Sequence, residues 1–280
     1  LNTVVQGRNH GVAMIAEEST AWPKVTDHPE NGGLGFNFKW NMGWMHDFLE
    51  YMKLDPYFRK YNHNRMTFSL TYFTSENYIL VLSHDEVVHL KCSMINKMPG
   101  LGEDKFSNLK AGYTFMLGHP GKKLLFMGQD FGQWHEWDEK VSLDWYLAEE
   151  ESHKKLQEYV RDLLHIYKKY PCLYQLDNDW NGFQWINAND GDRSIFSFIR
   201  KDETGKKNLL FVVNFTPVDR PDYRVGVPKR CKLSLLLDNV HGAYKPSQCP
   251  TYTSVKSECD GQPYSISYPL GGYGTAIFRF

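Results

Sequence analysis

Cysteine is scarce and unpatterned in this chain of 280 residues. Cys92, Cys172, Cys231, Cys249 and Cys259 are odd in number, scattered, and never spaced as Cys-x-x-Cys. That argues against a disulfide framework and for free thiols in a reducing cytoplasm. No apolar run approaches the length of a membrane span, so no membrane partner is expected. Charge of neither sign dominates, with 32 basic against 33 acidic residues, and nothing favours nucleic acid or an anionic membrane surface. Repeats and low-complexity segments are missing. The first residues, Leu1-Asn2-Thr3-Val4-Val5-Gln6, have no basic start, no apolar signal core and no initiator Met. They read as a fragment cut inside a helix.

What is present is a hydrophobic content of 41%, enough for a sizeable core, and 15% aromatics. Aromatics at that level suit stacking on sugar faces and an ordinary aromatic core equally well. Three apolar runs end in carboxylates. Tyr78–Leu82 leads into Ser83-His84-Asp85-Glu86, Gly11–Ala16 into Glu17-Glu18-Ser19-Thr20, and Lys123–Gly128 into Gln129-Asp130. Short, partly β-branched runs of this kind predict buried strands. In parallel α/β folds, ligands and chemistry collect at the carboxyl ends of strands.

Between these runs the hydrophobic period changes. Gly35–Asn41 alternates at period two and predicts a strand. Trp44, Met45, Phe48, Leu49 and Met52 recur at three and four and predict a helix over 43–53, with Trp44 on its apolar face. Asp55-Pro56 ends it. A weaker helix is expected over 57–74, another from an N-cap at Ser107 to Leu117, and the clearest one over 153–170. The loop 129–145 is rich in Trp, which a surface loop carries at a cost unless the rings have a use.

After Pro171 the grammar changes again. Phe183–Ile186, Ile195–Arg200, Asn208–Phe215, Lys232–Leu237, Tyr264–Tyr268 and Thr275–Phe280 read as short strands between turn residues, with a hairpin at Asp202-Glu203-Thr204-Gly205. The expected organisation is α/β over 1–171 followed by an all-β, antiparallel sandwich over 172–280. The first part holds about four βα units, and four strands cannot close a barrel that needs eight.

Paired carboxylates at strand ends are what glycoside chemistry needs. One is protonated to release the leaving oxygen, and another is ionised to attack or stabilise the anomeric carbon. Glu17 and Asp85 are the candidates. The same residue types also cap helices or pair with Lys and Arg at a barrel rim, and pattern alone leaves both readings open. His84 could donate to a sugar hydroxyl or be a satisfied core histidine. His84-Asp85-Glu86-Val87-Val88-His89 has some look of the zinc motif HExxH, but its histidines are at i and i+5 rather than on one helical face. Trp22, Trp40, Trp134 and Trp137 could stack on glucose or pack in a core.

These residues also carry a specific likeness. Ala16-Glu17-Glu18-Ser19-Thr20, Gly33–Phe36, Lys39–Asp47, Leu82–His89 and Lys122–Gly128, in that order and spacing, resemble the bacterial-type glycogen branching enzymes of the α-amylase superfamily. Ser142–Trp145 and Asn214–Val218 extend the match. The resemblance implies the second half of a (β/α)8 TIM barrel, strands five to eight, over residues 1–171, then a C-terminal β-sandwich over 172–280. It implies Glu17 as general acid/base, Asp85 as transition-state stabiliser, and His84, Trp22 and Trp40 as substrate-binding. Metal and organic cofactors are not implied. The partners implied are α-1,4-glucan (glycogen or amylose) and the missing N-terminal barrel half. The family's nucleophile, an aspartate in an Arg-x-Asp context, matches no position here, so these 280 residues alone are expected to be inactive. Two departures stand out: Leu90 where the family usually has Gly, and Asp130 where it usually has Glu. The alternatives are a debranching or trehalose-releasing hydrolase, or a non-catalytic α-glucan-binding protein.

Overall fold

Four short strands form a parallel sheet in sequence order: β1 (Ile15–Ala16), β2 (Phe38–Trp40), β3 (Tyr78–Leu82) and β4 (Lys122–Leu125). The computed structural model describes all 280 residues. The helices are α1 (Asn2–Arg8), α2 (Met42–Lys53), α3 (Pro56–Arg59), α4 (Arg65–Phe68), α5 (Met94–Lys97), α6 (Glu103–Gly118) and α7 (Glu151–Lys169). No helix is long and apolar enough to cross a membrane.

The predicted strand over 78–82 and the helix over 43–53 are found where their periodicity puts them. Asn41 caps α2 by accepting from the Trp44 amide at 2.9 Å. Trp44 is buried, stacked on Phe48 with ring centroids 4.8 Å apart. Other expectations need correcting. The strand over 11–16 shrinks to two residues, because β1 pairs on one side only and residues 11–13 are exposed. Residues 57–74 form four short helical turns instead of one helix. There the Asn62, Thr67 and Thr71 side chains bond nearby backbone carbonyls and compete with a continuous ladder. Helix α6 starts after Gly102, not at Ser107, with Glu103 and Asp104 complementing its N-terminal dipole. Strand β4 ends at Leu125.

The rest of the chain is antiparallel. A seven-stranded sheet runs β10-β9-β13-β7-β6-β5, with β11 also on β9. Its members are β5 (Phe183–Asn187), β6 (Ile195–Arg200), β7 (Leu209–Asn214), β9 (Lys232–Asp238), β10 (Gly242–Ala243), β11 (Thr251–Thr253) and β13 (Thr275–Arg279). A separate ribbon pairs β8 (Arg220–Val227) with β12 (Tyr264–Leu270). The expected hairpin joins β6 to β7, with Arg200 opposite Leu209. Strand β8 escapes sequence reading because Pro221 and Gly226 break its pattern.

Strands β6 and β7 are buried on both faces, and their alternation sorts the core. Phe196, Phe198, Leu209, Phe211 and Val213 join a cluster of 42 residues that reaches α2, α6 and α7. Ile195, Ile199, Leu210 and Val212 join a second cluster of 15 residues against the β8–β12 ribbon. The large sheet is therefore a middle layer between helices and ribbon. Helix α6 approaches it closely at Gly118, where a Cβ would lie 2.7 Å from the Phe198 ring.

Candidate active site

The parallel register decides which of two neighbouring glutamates is free. Ala16 pairs with Lys39 and Lys39 with Tyr78, while Trp40 lies beside Ile79. Side chains alternate along a strand, so extending this register puts Glu18 on the Lys39 face and Glu17 on the Trp40 face. The Lys39 face carries the buried Ala16, Leu80 and Leu82; Ile15, on the other face beside Glu17, is exposed. Lys39 is itself buried, and its ammonium donates to Glu18 Oε2 at 2.7 Å and to the Thr20 carbonyl at 2.9 Å. The Thr20 amide in turn donates to Glu18 Oε1 at 2.7 Å. The Lys39 ammonium and the bonds from Thr20 hold the Glu18 carboxyl down at about 2. Glu18 is thus committed to shaping the turn after β1, and Glu17 stands exposed beside it.

Two strands along, Ser83-His84-Asp85-Glu86 follows β3 directly, with His84–Glu86 forming one 3₁₀ turn. His84 Nε2 lies 3.2 Å from Asp85 Oδ1, and both side chains are half-exposed. The His84 ring is flanked by Phe126, at 5.8 Å between centroids, and by Trp137, at 6.4 Å. Trp137 also donates its amide to the Val87 carbonyl at 2.9 Å. The Trp-rich loop accordingly braces the turn that carries Asp85. Trp134 instead packs on Phe106 and His153 in the core.

Trp22 and Trp40 meet in a cavity of about 560 Å³ that Glu18, Lys39, Asn41 and Tyr72 also line. Trp22 is 62% exposed, which leaves its ring face open to a ligand. Glu17, His84 and Asp85 do not line this cavity. The sequence-predicted residues therefore fall into two groups. The carboxylates and His84 follow β1 and β3 directly, and the two tryptophans meet in the cavity that Lys39 of β2 also lines. Sequence reading missed Lys39, whose burial follows only from the register. It also missed Glu76, a buried acid that accepts from the Val25 amide at 2.8 Å and the Thr26 amide at 2.7 Å, tying down one wall of the cavity.

Residues 185–280 match the family model of the alpha amylase C-terminal all-beta domain. Over its whole length the chain is 57% identical to the 1,4-alpha-glucan branching enzyme GlgB of Butyrivibrio fibrisolvens, of which it covers 44%. Over its full length this chain matches GlgB branching enzymes. GlgB of Halothermothrix orenii is 53% identical, again over the whole chain and 45% of the relative. The chain thus spans less than half the length of these GlgB relatives. Among solved structures, a pullulanase type I from Bacillus subtilis matches with a TM-score of 0.70 at 13% identity, over 100% of this chain and 41% of that one. The alpha-amylase from H. orenii matches with a TM-score of 0.62 at 14% identity, over 99% and 55%. These neighbours share this chain's fold.

Proposed function

We propose that this chain is the C-terminal portion of a cytoplasmic 1,4-α-glucan branching enzyme. In this reading residues 1–171 are half of a (β/α)8 barrel and residues 172–280 its β-sandwich. One observation carries it most: Glu17 and the His84–Asp85 pair both follow directly on strands of one parallel sheet, and Glu17 is left free while Glu18 is spent on Lys39. The unpaired state of all five cysteines supports a reducing compartment.

The reaction is a retaining double displacement. An aspartate supplied from outside these 280 residues attacks the anomeric carbon of an α-1,4 bond. Glu17 protonates the departing chain. Glu17 then takes the proton from a 6-hydroxyl of an acceptor glucan, whose oxygen displaces the aspartate and closes an α-1,6 branch. Asp85, beside His84, stabilises the positive charge that develops at the anomeric carbon. His84 offers an N–H to a sugar hydroxyl, and Trp22 and Trp40 give apolar faces for glucose rings.

The test is to incubate the intact polypeptide carrying this sequence with amylose and count new α-1,6 bonds by proton NMR against new reducing ends. Branching makes α-1,6 bonds with few reducing ends. Reducing ends without α-1,6 bonds would replace this reading with a hydrolase, and binding without turnover would replace it with a glucan-binding protein.

A further inference from the structure

The loop that follows the Asp85 turn is built in an unusual backbone. His89, Leu90 and Cys92 all have positive φ, at 55°, 66° and 68°. No glycine is present to make this easy. A single carboxylate holds the loop: Glu136 Oε2 accepts from the Leu90 amide at 2.9 Å, and its Oε1 accepts from the Cys92 amide at 2.6 Å. Between those two residues, Lys91 turns back and donates from Nζ to the backbone carbonyl of Asp85 at 2.7 Å. Buried Lys97 closes the far side, donating to the Cys92 carbonyl at 2.7 Å and to the Lys91 carbonyl.

We propose that Glu136 is a positioning residue for Asp85: its carboxylate pins the left-handed loop 89–92, and Lys91 of that loop holds the Asp85 backbone. The proposal rests on the reading of Asp85 as transition-state stabiliser. Glu136 touches neither substrate nor Asp85 itself. Its two oxygens satisfy two amides whose directions converge only while the loop stays left-handed, so a charge-assisted pair of bonds fixes the loop's shape. The loop's shape then fixes where the Lys91 ammonium stands. A misplacement of Asp85 by a fraction of an ångström reads out in turnover, because charge stabilisation at the anomeric carbon depends on preorganised geometry.

Cys92 supplies a readout independent of catalysis. It is the exposed one of the five cysteines, and it lies inside the pinned loop. In the intact polypeptide, E136Q keeps one acceptor and turns an amide NH₂ toward the second N–H. Peptide-resolved alkylation of Cys92 by iodoacetamide should then quicken by about tenfold. The kcat for amylose should fall by about tenfold with KM nearly unchanged, and E136D should restore part of both. K91M is the second variant: it should lower kcat to a similar degree while leaving Cys92 alkylation at the wild-type rate. Unchanged alkylation in E136Q would overturn the pinning. Faster alkylation with unchanged kcat, or a K91M enzyme of full activity, would overturn the link to Asp85. Failure of the functional reading is separately visible, since the wild-type polypeptide would then form no branches while the alkylation contrast persisted.

Discussion

The ammonium of Lys39 and the carboxylate of Glu18 lie 2.7 Å apart, and this pair leaves Glu17 as the unengaged acid at the end of β1. Lys39 is buried and Glu18 is partly exposed. The pair's work is therefore better read as shape than as stability: it folds the turn 17–20 and sets the direction in which Glu17 leaves the strand. Replacing Lys39 by Met keeps the apolar stem and removes the charge. The expected result is a drop in kcat of about tenfold with KM less affected, measured in the intact polypeptide on amylose. An equal rise in KM would mean that Lys39 serves the cavity and not Glu17.

Asp177 should govern the acid limb of stability. It bonds Lys122 at 2.7 Å and the fully buried Arg200 at 3.0 Å, joining β4 to β6. Burial pushes its carboxyl up, but Arg200, Lys123 and Lys122 together pull it down to about 2. An Asp with a depressed folded pKa contributes stability above its unfolded pKa, and that contribution is lost as pH falls toward the folded value. About 2 kcal/mol should disappear between roughly pH 4 and pH 2. Urea melts across that window should show the slope in the wild type and not in Asp177→Asn.

A second acid-sensitive group lies higher on the pH scale. His63 stacks on Phe196 with ring centroids 3.9 Å apart and bonds the Ala188 carbonyl at 3.0 Å. Burial lowers its pKa to about 4 against the opposing pull of that carbonyl and Asp190. The neutral ring is the folded form. Stability is full above the unfolded pKa of about 6.5 and falls as pH drops toward 4, by about 3 kcal/mol. Stability of His63→Gln measured over the same range should be flatter.

Leu90 should be a site of easy stabilisation. It sits at φ +66° with its side chain 95% exposed, so it has strain and no packing to lose. Leu90→Gly should raise stability by up to about 1 kcal/mol, less what the freer unfolded chain takes back. Thermal melting decides the sign, and a lower Tm would show that the loop does not need the left-handed backbone.

Arg59 should be costly to remove. It is fully buried and donates to the Met52 carbonyl at 2.8 Å, the Phe215 carbonyl at 2.8 Å and Asn108 Oδ1 at 2.9 Å, with no carboxylate against it. Those bonds tie α2, α6 and the end of β7. Arg59→Ala leaves three acceptors without their donor and should cost about 3–5 kcal/mol in a denaturant melt. A loss under about 1 kcal/mol would mean that water replaces the guanidinium.

Much of this architecture was legible because it is written in hydrophobic period. Trp44 to Met52, Tyr78 to Leu82 and Ile195 to Arg200 carry unmistakable patterns, and the elements form there. Strand β1 was overdrawn because a run of apolar residues does not say whether a partner strand covers them. Strand β8 was missed because Pro221 and Gly226 interrupt it, although pairing with β12 rescues it. Glu17 and Asp85 were visible as carboxylates after strand-like runs. Lys39, Glu76 and Glu136 were not, because each matters through a contact with a distant residue. The Gly-to-Leu departure at Leu90 was visible in sequence, and its meaning came only with the backbone angle.

The most direct test compares Glu17→Gln with Glu18→Gln in the intact polypeptide, by kcat for α-1,6 bond formation on amylose. Glu17→Gln should lose several orders of magnitude with an unchanged Tm, since Glu17 bonds nothing in the fold. Glu18→Gln disturbs only the turn that aims Glu17, as Lys39→Met does, and should lose no more than about tenfold. Comparable losses at both positions, or the larger loss at Glu18, would contradict the assignment of Glu17 as the acid/base.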